Sequence, residues 1–238
     1  MKTIIVIPAR YDSSRFPGKP LVKIKGKEMM IRVADICAKV IKKKNVYIAT
    51  EDIRIMNVAK KYNYNCLFTS KKCLTGTDRV SEVSRKINSE IYINVQGDEP
   101  LVRPNDIKKI ILAKKKFKNY VICGYCKISN KENPKDQSIP KVVFNNKKEL
   151  IYISRSLIPG SKIKNTLFFK QVCIYAYNKN QIKNFYSNKK TKIENIEDIE
   201  IIRFLENNIK IKMIKTSDGS LAVDYKKDVK KIENLLSS

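Results

Sequence analysis

Short runs of apolar, β-branched residues recur at 3–7, 45–50, 65–69, 91–95 and 120–128, and the stretches between them repeat their apolar residues at helical spacing. Met29, Met30, Val33, Ile36, Cys37 and Val40 form one such stretch. Ile107, Ile110, Ile111, Ala113 and Phe117 form another, opened by Pro104 with Asp106 close behind. Strands alternating with helices read as βαβ units, because neighbouring parallel strands need a crossover connection. After residue 131 the rhythm changes. Runs at 141–144 and 150–154 flank Asn145-Asn146-Lys147-Lys148, a hairpin-like turn, and 168–177 reads as a further long strand. A helix around 198–206, a strand at 210–215 and a last helix at 226–236 complete the pattern. The expected fold is α/β: a doubly wound, mostly parallel, Rossmann-like sheet. It carries an inserted antiparallel β lobe at about 131–178, within one domain spanning 1–238.

Composition narrows the function classes. Hydrophobic residues make up 42% of the 238 and charged residues 31%, enough for a sizeable core and incompatible with a disordered tail or a fibre. Apolar runs reach about five residues against the ~20 that cross a bilayer, so no membrane span is expected. The start, Met1-Lys2-Thr3-Ile4, lacks the long apolar region of a signal peptide, and a cytoplasmic location is the expectation. Lys and Arg number 50 against 23 Asp and Glu, a net charge of +27, which attracts polyanions. The excess is spread in short Lys runs rather than gathered in a stripe, so nucleic acid is not the expected partner; a basic RNA-binding protein is the remote alternative. The chain has no histidine, which excludes a Ser-His-Asp triad, a histidine base and any His-ligated metal. Six cysteines include Cys123-Gly124-Tyr125-Cys126, which sits in a strand-like run and reads as reduced structural thiols.

In such a sheet ligands bind beyond the carboxyl ends of the strands, and three of these segments carry chemistry. The first strand empties into Pro8-Ala9-Arg10-Tyr11-Asp12-Ser13-Ser14-Arg15-Phe16-Pro17-Gly18-Lys19-Pro20, a loop of cations and hydroxyls suited to phosphate oxygens. It is neither a P-loop nor a GxGxxG turn, and a basic surface loop is the plain alternative. A later apolar strand ends in Gln96-Gly97-Asp98-Glu99-Pro100, where Asp98 reads as a Mg²⁺ ligand or as part of an ordinary turn. Third, Asp224 in Ser220-Leu221-Ala222-Val223-Asp224 is either the N-cap of the last helix or a second carboxylate ligand. A polyphosphate, a divalent metal and no histidine chemistry together suit nucleotidyl transfer.

Ile7-Pro8-Ala9-Arg10-Tyr11, Ser13-Ser14-Arg15-Phe16-Pro17-Gly18-Lys19-Pro20-Leu21, Thr75-Gly76-Thr77-Asp78-Arg79 and Val95-Gln96-Gly97-Asp98-Glu99-Pro100 closely resemble the CMP-Kdo synthetases, the 3-deoxy-manno-octulosonate cytidylyltransferases. Lys141-Val142-Val143, Ser154-Arg155-Ser156-x-Ile158-Pro159, Ile174-Tyr175-Ala176-Tyr177, Glu200-x-x-Arg203 and Val223-Asp224 extend the likeness essentially end to end. The resemblance implies a nucleotidyltransferase that joins CTP to a 3-deoxy-2-ulosonic acid, Kdo first among them, releasing pyrophosphate with Mg²⁺ for lipopolysaccharide or capsule synthesis.

By position, the resemblance implies that Arg10, Lys19 and Asp98 are the catalytic residues, and that Ala9, Arg10, Ser13, Arg15, Lys19, Thr75, Gly76, Thr77 and Arg79 bind the nucleotide. Asp98 and Asp224 would ligate the metal, and Gln96, Arg155, Gln171, Tyr175 and Glu200 would face the sugar acid. Homodimers are common in the family, with the inserted lobe contributing to the contact. The chain departs from the family pattern at Gln171 and Cys173, at Ile201 where a Gln is usual, and at Lys72-Cys73, Thr75 and the Ala222 and Tyr225-Lys226 positions. The changes at Gln171 and Ile201 fall in the sugar-acid half, so a related acid, amino- or deoxy-substituted or a nonulosonate, is the alternative acceptor.

Overall fold

The buried runs become strands of one large sheet; the computed structural model describes residues 1–13, 15–130, 132–217 and 221–237. Ser14, Lys131 and Ser220, which figured in the sequence reading, lie outside the described residues. The chain runs through β1 (Thr3–Pro8), a small ribbon of β2 (Lys23–Ile24) and β3 (Lys27–Glu28), α1 (Met29–Ala38), β4 (Val46–Thr50), α2 (Ile53–Lys61) and β5 (Asn65–Phe68). It continues with α3 (Gly76–Lys86), β6 (Ile91–Val95), α4 (Pro104–Lys116), β7 (Val121–Lys127), β8 (Lys141–Phe144), β9 (Leu150–Ser154) and β10 (Phe169–Asn178). The last part is α5 (Lys179–Ser187), α6 (Lys192–Glu197), α7 (Ile202–Glu206), β11 (Ile211–Lys215) and α8 (Lys226–Leu235).

The sheet order is β11-β7-β10-β6-β1-β4-β5. β6, β1, β4 and β5 pair in parallel, as do β7 and β11, while β10 runs antiparallel between β6 and β7. Helices cover both faces, so β1 is apolar on both. Ile5 and Ile7 pack with Met30, Val33, Ile107 and Ile110 on one side. Ile4 and Val6 pack with Val80, Val83, Phe185 and Phe204 on the other. This double burial is why the strand runs read as continuous apolar stretches without alternation.

The stretch read as an inserted lobe is divided in the structure. β10 lies in the central sheet, because Ile174, Ala176 and Tyr177 are buried against β6 and β7. β8 and β9 form the antiparallel hairpin, and one pairing of Lys141 with Lys170 ties it to β10. The helix expected around 198–206 is shortened to α7, and a separate helix, α6, precedes it and ends at Asp198, whose φ of 49° is left-handed. A third, small core of Ile24, Met29, Val223 and Ile232, joined by Phe16 and Val22, fastens the C-terminal segment onto the loop that follows β1.

Candidate active site

The loops leaving β1 and β6 emerge from the carboxyl ends of neighbouring parallel strands, and a cleft of about 450 Å³ opens between them. Its walls are close-packed backbone at one point: a Cβ on Gly97 would lie 2.8 Å from the Pro8 carbonyl oxygen, so only glycine lets the two loops meet. A Cβ on Gly76 would lie 2.7 Å from Gln96 Nε2, and any side chain there would push Gln96 aside.

The first loop closes on itself through Gly18 N–H, which donates to the Tyr11 carbonyl at 2.8 Å with Gly18 at a φ of +71°. It presents Ala9, Arg10, Ser13, Arg15 and Lys19 to the cleft. The Lys19 ammonium donates to Asp98 Oδ2 at 2.6 Å and to the Val223 carbonyl at 3.0 Å, and Asp224 Oδ1 is 3.9 Å away. Arg15 meets the same Asp224 oxygen at 2.7 Å. Asp224 is free to do this because Asp228, not Asp224, caps α8, accepting the Asp224 and Tyr225 N–H groups at 3.1 and 2.8 Å. Arg10 is exposed and makes no ion pair among the described residues. No three His, Cys, Asp or Glu side chains gather among the described residues into a group that could hold a metal. The two carboxylates around Lys19 are the hard-oxygen pair.

The middle of the cleft is the start of α3. Thr75 and Asp78 cap each other's N–H groups, at 3.2 and 2.8 Å, which places Thr75 and Gly76 at the wall. Thr77 does not reach it: the residue is buried, its hydroxyl 2.9 Å from that of Tyr177, and its N–H donates to Glu200 Oε2 at 2.8 Å. Arg79 lines the cleft while its guanidinium is paired with Glu51 and donates to Thr69 Oγ1 at 2.6 Å.

At the far end stand Gln96, Glu200 and Arg155. Gln96 Nε2 donates to Glu200 Oε1 at 3.3 Å. Burial pushes the Glu200 carboxyl up to about 6, against the Thr77 N–H that favours its charge. Arg155 is held by three backbone carbonyls: Nε donates to Glu197 at 2.7 Å, and the terminal nitrogens donate to Gln137 and Asp198 at 3.1 Å each. Of five guanidinium N–H groups these use three; the Asp198 carboxylate lies 3.9 Å from one terminal nitrogen, and the remaining N–H on each terminal nitrogen makes no hydrogen bond among the described residues.

Two residues assigned to the sugar acid are off the cleft wall. Gln171 is buried with its amide nitrogen 3.9 Å from Cys123 Sγ, and Tyr175 is buried beside Tyr177. Ile201 is likewise packed into the core, which accounts for an apolar residue there. Conversely, Leu74, Lys190 and Asp198 line the cleft without having been singled out, and so does Cys73, noted above only as a departure from the family pattern. Lys190 belongs to a lysine pair that read as diffuse charge. Asp198 reaches the cleft only because its left-handed backbone ends α6. The Cys73 thiol is pushed up to about 12 by burial and by Glu82 beside it, which disfavours the thiolate.

A family model described as cytidylyltransferase matches residues 4–211. A 3-deoxy-manno-octulosonate cytidylyltransferase of Thermodesulfovibrio yellowstonii is 35% identical, with 100% of this chain and 99% of that protein covered. An 8-amino-3,8-dideoxy-manno-octulosonate cytidylyltransferase of a Shewanella species is 36% identical, with 100% of each covered. A solved CMP:2-keto-3-deoxy-manno-octonic acid synthetase complexed with CTP matches with a TM-score of 0.93 at 33% identity, covering 100% of this chain and 99% of that one. A glucose-1-phosphate thymidylyltransferase from Bacillus anthracis, 12% identical with a TM-score of 0.71, shares the fold alone. With the family match spanning most of the sequence and the relatives aligning from end to end, this chain belongs to the cytidylyltransferase family.

Proposed function

We propose that the chain transfers the cytidylyl group of CTP to the anomeric hydroxyl of a 3-deoxy-2-ulosonic acid, Kdo, releasing pyrophosphate for lipopolysaccharide or capsule synthesis. The observation that carries this reading is the division of one cleft. Arg10, Arg15 and Lys19 gather at one end, and a guanidinium with two free N–H groups is fixed at the other. A planar pair of donors matches a carboxylate. The loop cations match a triphosphate. Relatives named for Kdo and for its 8-amino-3,8-dideoxy analogue are equally similar to this chain, so the amino acid-sugar is the second acceptor to be tried.

In this reading the sugar hydroxyl attacks the α-phosphorus in line and pyrophosphate leaves, so the protein's task is positioning and charge neutralisation. Arg155 orients the acid through its carboxylate. Gln96 and Glu200, joined to each other, offer hydrogen bonds to sugar hydroxyls. Arg10, Ser13 and Arg15 hold the phosphates, and the wall at Ala9, Thr75, Gly76 and Arg79 takes the nucleoside.

Asp98 and Asp224 are proposed to hold Mg²⁺. Their oxygens already share one cation, the Lys19 ammonium, and two carboxylates completed by substrate phosphates are a usual set for this ion. When bound, the ion neutralises phosphate charge and lowers the pKa of the attacking hydroxyl, which suits a chain without histidine. Lys19 and Arg15 then turn from the carboxylates to the phosphate oxygens.

A homodimer and a cytoplasmic location complete the reading. The dimer is supported by exposed Ile151, Ile163 and Leu167 on and beside the β8–β9 hairpin. No helix among the described residues is long and apolar enough to cross a membrane.

The test is pyrophosphate release from CTP and Mg²⁺ with Kdo, the amino analogue and no acceptor. Acceptor-dependent release is expected with Kdo. No release with either acid, together with no CTP binding, would end the enzyme reading. Sedimentation of wild type and of Leu167→Asp tests the dimer, with a shift to monomer expected in the variant.

A further inference from the structure

Lys141 is a charged side chain with no exposed surface and no carboxylate within ion-pair distance among the described residues. Its ammonium donates to two carbonyls, that of Asp136 at 2.9 Å and that of Arg155. Burying an ammonium is costly unless its donors are satisfied, so a lysine held this way serves the backbone that it grips. One of the two carbonyls lies in a segment that fixes the guanidinium of Arg155, and the other is on the backbone of Arg155. Arg155 itself stands at the end of β9; Asp136 adjoins Gln137, whose carbonyl accepts from an Arg155 terminal nitrogen at 3.1 Å. The opposite side is fastened independently, since Glu197 accepts from Ser154 Oγ at 2.6 Å and from the Arg155 N–H at 2.8 Å. Lys141 is also where β8 pairs with both β9 and β10, so the grip is anchored to the central sheet.

We propose that Lys141 is a positioning residue for the sugar acid: from beneath the cleft it staples the 136–137 segment to Arg155 and so aims the two free guanidinium N–H groups. The inference rests on the reading above that Arg155 receives the acid's carboxylate. Lys141 touches neither substrate, and its influence passes through one side chain. The loop of Arg10 and Lys19 and the start of α3 do not depend on it, because none of their hydrogen bonds involves the hairpin.

The test is steady-state kinetics of wild type, Lys141→Met, Arg155→Ala and the double variant, with CTP and the sugar acid varied separately. Wild type comes first: no acceptor-dependent release from it would remove the functional reading and this inference with it. Given wild-type turnover, Lys141→Met is expected to raise the KM for the sugar acid about tenfold or more while the KM for CTP moves less than about twofold. Added to Arg155→Ala it is expected to change nothing further, because the residue through which it acts is gone. Equal losses for both substrates, or losses that multiply in the double variant, would overturn the proposal. Should Lys141→Met not fold, Lys141→Arg keeps charge and donors while its bulkier head shifts the same carbonyls. It must move the sugar-acid KM alone; a change in both constants, or in neither, would also overturn the proposal.

Discussion

The two ends of the cleft handle charge in opposite ways. At the phosphate end Lys19, Arg15, Asp98 and Asp224 pair with one another through side chains that are partly open to water. At the other end Arg155 is fastened chiefly by backbone carbonyls from two separate segments, with one looser ion pair to Asp198 at 3.9 Å. Side-chain ion pairs of this kind exchange partners readily, since solvent screens them and each loses little when another charge replaces its mate. A guanidinium locked on three carbonyls keeps one plane. On the proposed function, one end swaps counter-ions when a polyanion arrives, and the other holds a geometry for a carboxylate.

Substitutions can break this contrast, and the largest effect is expected at Asp98. Asp98→Asn keeps the shape but removes the charge that faces Lys19, and kcat/KM should fall about 10³-fold, as when one centre of transition-state charge stabilisation is lost. A fall of less than about tenfold would deny Asp98 a place in the chemistry.

Next comes Arg155→Lys, which keeps the charge and loses the planar fork. The KM for the sugar acid should rise about 10²-fold with the KM for CTP unchanged, because an ammonium cannot reproduce a bidentate contact. Full activity in this variant would mean that charge alone matters at that end.

Arg10→Ala tests the exchangeable end where no ion pair has to be broken. A loss of about tenfold, confined to CTP and narrowed by added salt, is expected for one exposed phosphate contact.

The smallest effect is the pH dependence at Glu200. Its carboxyl is raised above the ordinary value to about 6, so the folded protein holds this proton more tightly than the unfolded chain does. Stability from this group is fully present below the unfolded value and is lost as pH rises through about 6. Thermal melts between pH 4.5 and 7 should therefore show wild type losing slightly more stability with rising pH than Glu200→Gln. Acid kinetics should likewise show an inflection near 6 that the variant lacks.

The phosphate end was the more legible of the two, for a local reason. Arg10, Ser13, Arg15 and Lys19 lie on one short loop and Asp98 follows one strand, so a linear motif holds nearly everything that this end needs. Whether Asp224 caps the last helix took the tertiary fold to answer, and the Asp228 hydrogen bonds exclude it as that cap. The sugar end was harder. Asp198 enters the cleft at a left-handed position that ends α6 and Lys190 from the segment before that helix, and nothing in their spacing announces it. Tyr175 and Thr77 carry motif identities yet sit behind the wall, as does Gln171, where the chain departs from the family pattern, because their strand and helix positions face the core.

By itself the sequence determined the strands, their burial on both faces and the cationic loop, since period, β-branching and charge are local properties that fold wherever the chain takes them. Only the tertiary structure placed β10 inside the main sheet and divided the presumed lobe at the Lys141–Lys170 pairing. It alone brought the carbonyls of residues 137, 197 and 198 around one guanidinium. Backbone carbonyls are the same at every residue, so a site assembled from them leaves no trace in the order of side chains.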